Sequence, residues 1–118
     1  MSYEFEMAGD TVWSPALRVG QIYDGYVRVL AEILGRPAGW TMVAEDMVRI
    51  EPVVFGRFVD GLLDAQASSN HPVLHAQLAP VLKVSLVLLD RAGRPWPADD
   101  PRLTLVADYP ETARAMPR

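Results

Sequence analysis

The sequence predicts an α+β domain in which three main helices, the third central and apolar, pack with a small antiparallel sheet of two or three strands. Three observations predict it. Ser2 to Met7 alternates, with Tyr3, Phe5 and Met7 on one side and Glu4 and Glu6 on the other, the period of a half-buried strand. Three apolar patterns each open at a proline: Ser14-Pro15 and Asn70-His71-Pro72, with a capping residue before it, and Glu51-Pro52. The stretch from Asn70 to Asp90 is the longest apolar segment of the chain, with the makings of a core helix.

The elements follow in order. Gly9-Asp10 is a turn signal, and Thr11 to Trp13 returns as the second strand of a hairpin. Two strands alone are marginal, so a third is expected from later in the chain. Ser14 caps the first helix and Pro15 takes its first position; the helix runs to about Leu34. Its stripe is Val19, Ile22, Tyr23, Tyr26, Val29, Leu30 and Ile33, opposite Gln21, Asp24, Arg28 and Glu32. Asp24 with Arg28, and Arg28 with Glu32, have the spacing of weak surface pairs. Gly35 ends this helix, and Pro37 and Gly39 prevent its resumption. Gly39 to Ile50 is less regular; Met47 to Ile50 is the third strand, with a start at Met42 as the alternative.

The second helix starts at Glu51-Pro52 and runs to about Ala67, with Phe55, Phe58, Val59, Leu62 and Leu63 inward and Arg57, Asp60 and Asp64 toward solvent. The short link Ser68-Ser69-Asn70 sets the second and third helices antiparallel. Beyond Pro80, which should kink the third helix, Val81, Leu82, Val84 and Leu86 to Leu89 spread around the cylinder and leave Lys83 and Asp90 on a narrow polar line. A helix apolar on nearly all sides is surrounded by its own domain or buried in a partner. In so small a domain this predicts a homodimer with the third helix near the interface. His75, Gln77, Pro80 and Lys83 interrupt the run too often for a membrane span. Gly93 stops the helix. From about Arg94 the chain is a proline-rich tail, in which Leu103 to Val106 suits a strand or a short helix and Glu111 to Met116 a final helical turn.

At 118 residues, half of them hydrophobic, the chain is expected to form one domain over 1–118 with a real core. The net charge of −4 and the absence of a basic run argue against a nucleic-acid partner. Zero cysteines removes disulfides, thiolate chemistry and cysteine-based zinc sites. The acidic opening Met1 to Met7 does not read as a signal peptide, so the expected location is cytoplasmic.

The candidate chemistry is thin, and each candidate has a plainer reading. His71 and His75 share a helix face and can hold a metal, but Pro72, Val73 and Leu74 stand where a metalloprotease helix carries its glutamate, and His71 suits a cap. Lys83 is the sole lysine; desolvated it can act as a nucleophile, while its place on the polar line suits pairing with an acid. Asp60 and Asp64 can act as paired carboxylates or as a solvated face beside Arg57. Glu45, Asp46 and Glu51 form an acidic cluster that can steer toward a basic partner or be ordinary loop surface. Trp13, Trp40 and Trp96 stand beside turns, either as binding residues or as plugs at the ends of the core. Gly20 and Gly25 inside the first helix suit close packing. No glycine-rich phosphate loop and no nucleophile elbow occur, so no catalytic, cofactor or metal residue is assigned.

The Tyr3-Glu4-Phe5 strand, Trp13-Ser14-Pro15, Ile50-Glu51-Pro52 with Phe55 and Phe58, and Ser69-Asn70-His71-Pro72-Val73-Leu74 resemble a family of small uncharacterised actinobacterial proteins, over roughly the first ninety residues. The resemblance implies no activity and no catalytic residues. The expectation is therefore a non-enzymatic interaction protein, of the inhibitor, immunity or accessory type, self-associating and able to bind another protein. The alternative is a small-molecule binder or small enzyme with a pocket between helices and sheet. Tyr23, Tyr26, Trp40 and His75 are its expected lining, and Lys83, Glu45 and Asp46 complete the candidate surface.

Overall fold

In a computed structural model describing residues 1–118, the elements run β1 (Glu4–Met7), β2 (Asp10–Trp13), α1 (Leu17–Leu34), β3 (Trp40–Ala44), β4 (Met47–Ile50), α2 (Pro52–Ala67) and α3 (Pro72–Arg91). The fold is α+β, as expected, but the sheet has four strands in the order β2-β1-β4-β3 and is mixed. β1 pairs antiparallel with β2 and parallel with β4, and β3 pairs antiparallel with β4. This corrects the small antiparallel sheet of two or three strands. Glu45 and Asp46 form a tight turn that splits the segment from Trp40 to Ile50 into a hairpin. Crossing by way of α1 then delivers β4 to the open edge of β1 in the parallel sense. Alternation makes one sheet face the core: Phe5, Met7, Val48 and Ile50 are buried, while Glu6 and Arg49 pair at 3.0 Å on the other face.

α1 begins at Leu17 with Ala16 as its N-cap, two residues later than Ser14-Pro15 suggests. The backbone there is already committed to the N-terminal segment. Tyr3 N donates to the Pro15 carbonyl and Ser14 N to the Pro117 carbonyl, both at 2.9 Å, and Ser2 bridges Ala16. Gly35 closes the helix in the left-handed conformation, φ 64°. The rotation of α1 also differs from expectation. Gly20, Tyr23 and Val27 are its buried residues, whereas Val19, Ile22, Tyr26, Val29 and Ile33, read from the sequence as part of the inward stripe, are exposed. The helix is turned by roughly 100° about its axis relative to that stripe. Tyr23 and Gly20 explain the turn. The Tyr23 ring packs against Phe5, Trp13 and Trp40, its hydroxyl bonds Ser85 Oγ at 2.7 Å, and Gly20 lies directly on Tyr3.

α2 and α3 start where their proline signals place them. Glu51 Oε2 accepts from Val54 N at 2.7 Å, and His71 Nδ1 from Val73 N at 3.2 Å, with Pro52 and Pro72 in the first turn. α3 continues through Pro80 and is the molecule's central helix. By length and composition it is the one helix able to cross a membrane. Leu86, Val87, Leu88 and Leu89 are at most 2 % exposed within the single chain. The expected interface at this helix therefore loses its ground, because the chain's own sheet, α2 and tail surround it.

The tail is ordered. Pro101–Val106 is a 3-10 helix, Tyr109–Thr112 a short α4 and Ala113–Ala115 a further 3-10 turn. Leu103, Val106 and Met116 are buried against α2 and α3. Two arginines hold it. Arg102 reaches Asp60 at 2.8 Å, Asp64 at 2.7 Å and Asp100 at 2.8 Å. Arg91 donates to the carbonyls of Val12, Ala113 and Met116 at 2.9, 3.2 and 2.6 Å.

Candidate functional site

Once α1 is turned onto Tyr23, its second apolar stripe faces outward. Val19, Ile22, Tyr26, Val29 and Ile33 are 50, 58, 47, 55 and 72 % exposed. They lie on one line, alternating three and four residues apart, which keeps them in register along the whole helix. Single exposed apolar residues are ordinary on protein surfaces; a continuous line of five along one helix is not. Beside the line runs a groove of about 350 Å³ between α1 and the first turns of α3, with Tyr26, Val29, Leu30, Ile33, Leu74 and Leu78 on its walls. Gln77 is the sole polar residue lining it. The other flank of the line carries Arg18, Gly25 and Glu32, all exposed. Neither Arg18 nor Glu32 joins any of the chain's ion pairs.

The far side of α1 is anchored by one carboxylate. Asp24 accepts from the Tyr3 hydroxyl at 2.9 Å, Trp40 Nε1 at 2.7 Å and Arg28 Nε at 2.8 Å. Burial, and then the Asp24 carboxylate, push the Tyr3 hydroxyl well above its ordinary value, so it stays a donor. Burial likewise raises Tyr23. Of the two pairs expected on this helix, Asp24–Arg28 forms and Arg28–Glu32 does not.

The other sequence-derived candidates are dispersed. Tyr23 is in the core, and Trp40 lines a separate shallow depression with Val27, Arg28 and Gly39. His75 Nε2 donates to the carbonyls of Gln66 and Ser69, at 3.1 and 2.5 Å, and staples the α2–α3 turn. Tyr23, Tyr26, Trp40 and His75 therefore do not line one pocket; Tyr26 alone stands on the exposed face. Both histidine rings are occupied in the turn, and no group of three His, Asp or Glu side chains could hold a metal ion. Lys83 pairs with Asp108 at 3.0 Å. Glu45 and Asp46 cap the β3–β4 hairpin, while Glu51 is spent as a helix cap. Asp60 and Asp64 are clamped by Arg102. Trp13 is buried on Phe5, and Trp96 donates to Asp100 at 2.8 Å beneath the Arg102 guanidinium.

Val19, Ile22, Val29 and Ile33 are the surface residues that sequence reasoning assigned inward. The signal was the width of the apolar arc. Adding Gly20, Val27, Ala31 and Leu34 to the stripe spans more than half the helix circumference, more than one neighbouring layer can cover. Over its whole length, residues 1–118, the chain matches a family of unknown function (DUF6086). No curated protein and no solved structure matches it.

Proposed function

Because the chain belongs to this family of unknown function (DUF6086), its surface must carry the reading, and we propose that it is a non-enzymatic interaction protein that docks a protein partner on the outer face of α1. The observation that carries this is the line of five large, exposed apolar side chains from Val19 to Ile33. Interaction surfaces have an apolar centre with a polar rim, and Arg18 and Glu32 supply such a rim on one side. The commitment of Asp24, His75, Lys83 and Asp60 to structural contacts supports a binding role over catalysis. An accessory or inhibitor-type role in the cytoplasm of an actinobacterium fits the acidic, cysteine-free composition. The test is a photo-crosslinking residue at Tyr26, compared with one at Gln21 on the polar face, in living host cells. The reading expects protein adducts from Tyr26 that vanish when Val29→Glu is added. Equal yields at both positions would overturn it.

A small-molecule reading has one observation in its favour: the groove along Leu30 and Leu74 is of ligand-binding size. With Gln77 as its sole polar lining residue it would take an aliphatic chain and little else. Organic extraction of protein purified from the host, followed by mass spectrometry, separates the two readings.

A further inference from the structure

We propose that the occupant of this face is a second copy of the chain, docked α1 against α1 in antiparallel orientation across a two-fold axis near Tyr26. The proposal rests on reading the outer face of α1 as a docking surface, and names the partner. Three features of α1 carry it.

The first is spacing. The steps from Val19 to Ile22, Tyr26, Val29 and Ile33 alternate three and four, the seam by which one straight helix packs along another. The seam is symmetric about Tyr26 in its kinds of residue, with β-branched side chains on both sides. It can therefore face a copy of itself, as a two-fold interface requires.

The second is charge. Arg18 near the start and Glu32 near the end lie on the same flank of the seam, both exposed and both without an ion pair in the chain. Antiparallel docking brings Arg18 alongside Glu32 of the second copy, and by symmetry does so twice. Parallel docking places the two flanks on opposite sides of the dimer and leaves all four charges unmatched.

The third is Gly25. It stands on that flank between the two charges, and nothing in the chain comes within 4 Å of where its Cβ would be. Glycine inside a helix destabilises it, and no contact within the chain accounts for its presence. A second helix crossing near the two-fold axis does, because a missing side chain lets the backbones approach. The proline-rich tail is no competitor for the site, since it packs on α2 and α3.

α1 has 18 residues and so is about 27 Å long.

Sedimentation equilibrium of the full chain from about 1 to about 300 μM tests this. The expected result is a concentration-dependent rise from 13.1 kDa to twice that mass. Ile22→Glu and Gly25→Leu, both on the exposed side, should each hold the chain as a monomer with its circular dichroism unchanged, and the melting temperature of the Gly25→Leu monomer should be no lower than that of the wild type at low concentration. Arg18→Glu and Glu32→Arg should each weaken the dimer about fivefold, and the double swap should restore it. A monomer throughout the range overturns the proposal, as does a dimer indifferent to both Ile22→Glu and Gly25→Leu. A swap that fails to restore the dimer overturns the antiparallel arrangement. A wild-type monomer whose Tyr26 still crosslinks a different protein in cells overturns the second copy and leaves the docking face standing; absence of both overturns the two together.

Discussion

Gly20 and Gly25 sit on neighbouring turns of α1 and answer to different neighbours. A Cβ at Gly20 would fall on the Tyr3 side chain, whereas one at Gly25 would meet open space. Gly20→Ala should therefore lower stability by about 2 kcal/mol or more, because Tyr3 is tied to Asp24 and cannot swing away. Gly25→Ala should raise the stability of the monomer by about 0.5–1 kcal/mol through helix propensity. Urea titrations at a few micromolar protein read both, and equal effects of the two substitutions would contradict the packing described. Asp24 is the other residue on which the pose of α1 depends. Asp24→Ala leaves the Tyr3 hydroxyl and Trp40 Nε1 without their acceptor, and should cost about 2–3 kcal/mol with a shift in tryptophan fluorescence. Only part of this is legible in the residue types. The pair with Arg28, one turn on, is read from spacing, but the other two donors to Asp24, Tyr3 and Trp40, come from distant parts of the sequence.

At the scale of elements, legibility followed how local the determinant was. α2 and α3 begin at Glu51-Pro52 and His71-Pro72 because the cap and the proline act within one turn. Ser14-Pro15 is the same kind of signal and fails, because Tyr3 and Pro117 hold that backbone outside the helix. β3 and β4 merged into one irregular stretch in the sequence, since the Glu45-Asp46 turn has no glycine or asparagine to announce it. α2 carries one residue at odds with its surroundings. Gln66 is fully buried, and neither its amide nitrogen nor its oxygen has a partner. Gln66→Met keeps an unbranched side chain of similar reach and removes two unsatisfied polar atoms. It should raise stability by about 1 kcal/mol or more, seen as a higher urea midpoint with an unchanged slope. A lower midpoint would mean the amide has a role in the core that the contacts do not reveal.

At the scale of the whole molecule, the question is what covers each apolar surface. Periodicity reports that a stripe is apolar and says nothing about the layer that meets it. So the α3 perimeter, covered within the chain, suggested a partner, and the outer face of α1, which nothing in the chain covers, passed for core. The covering of α3 depends partly on the tail, and the tail on Arg102 with Asp60, Asp64 and Asp100. This gives a pH prediction. The Arg102 guanidinium, Trp96 Nε1 and the Arg102 backbone N–H all donate to Asp100 and hold its carboxyl far below the ordinary carboxylate value. A carboxyl depressed in the folded state contributes stability that is fully present above its unfolded value, near 4, and is lost as the pH falls below it. Stability should therefore drop between about pH 5 and pH 2.5 more steeply in the wild type than in Asp100→Asn, by about 2 kcal/mol across that interval. Trp96 fluorescence of the protein that is still folded should stay flat through that window, since the carboxylate its N–H bonds remains charged there. Parallel slopes for the two proteins would show that the clamp acts through packing of Leu103 and Val106 alone, and that the charge on Asp100 contributes nothing to holding the tail over α3.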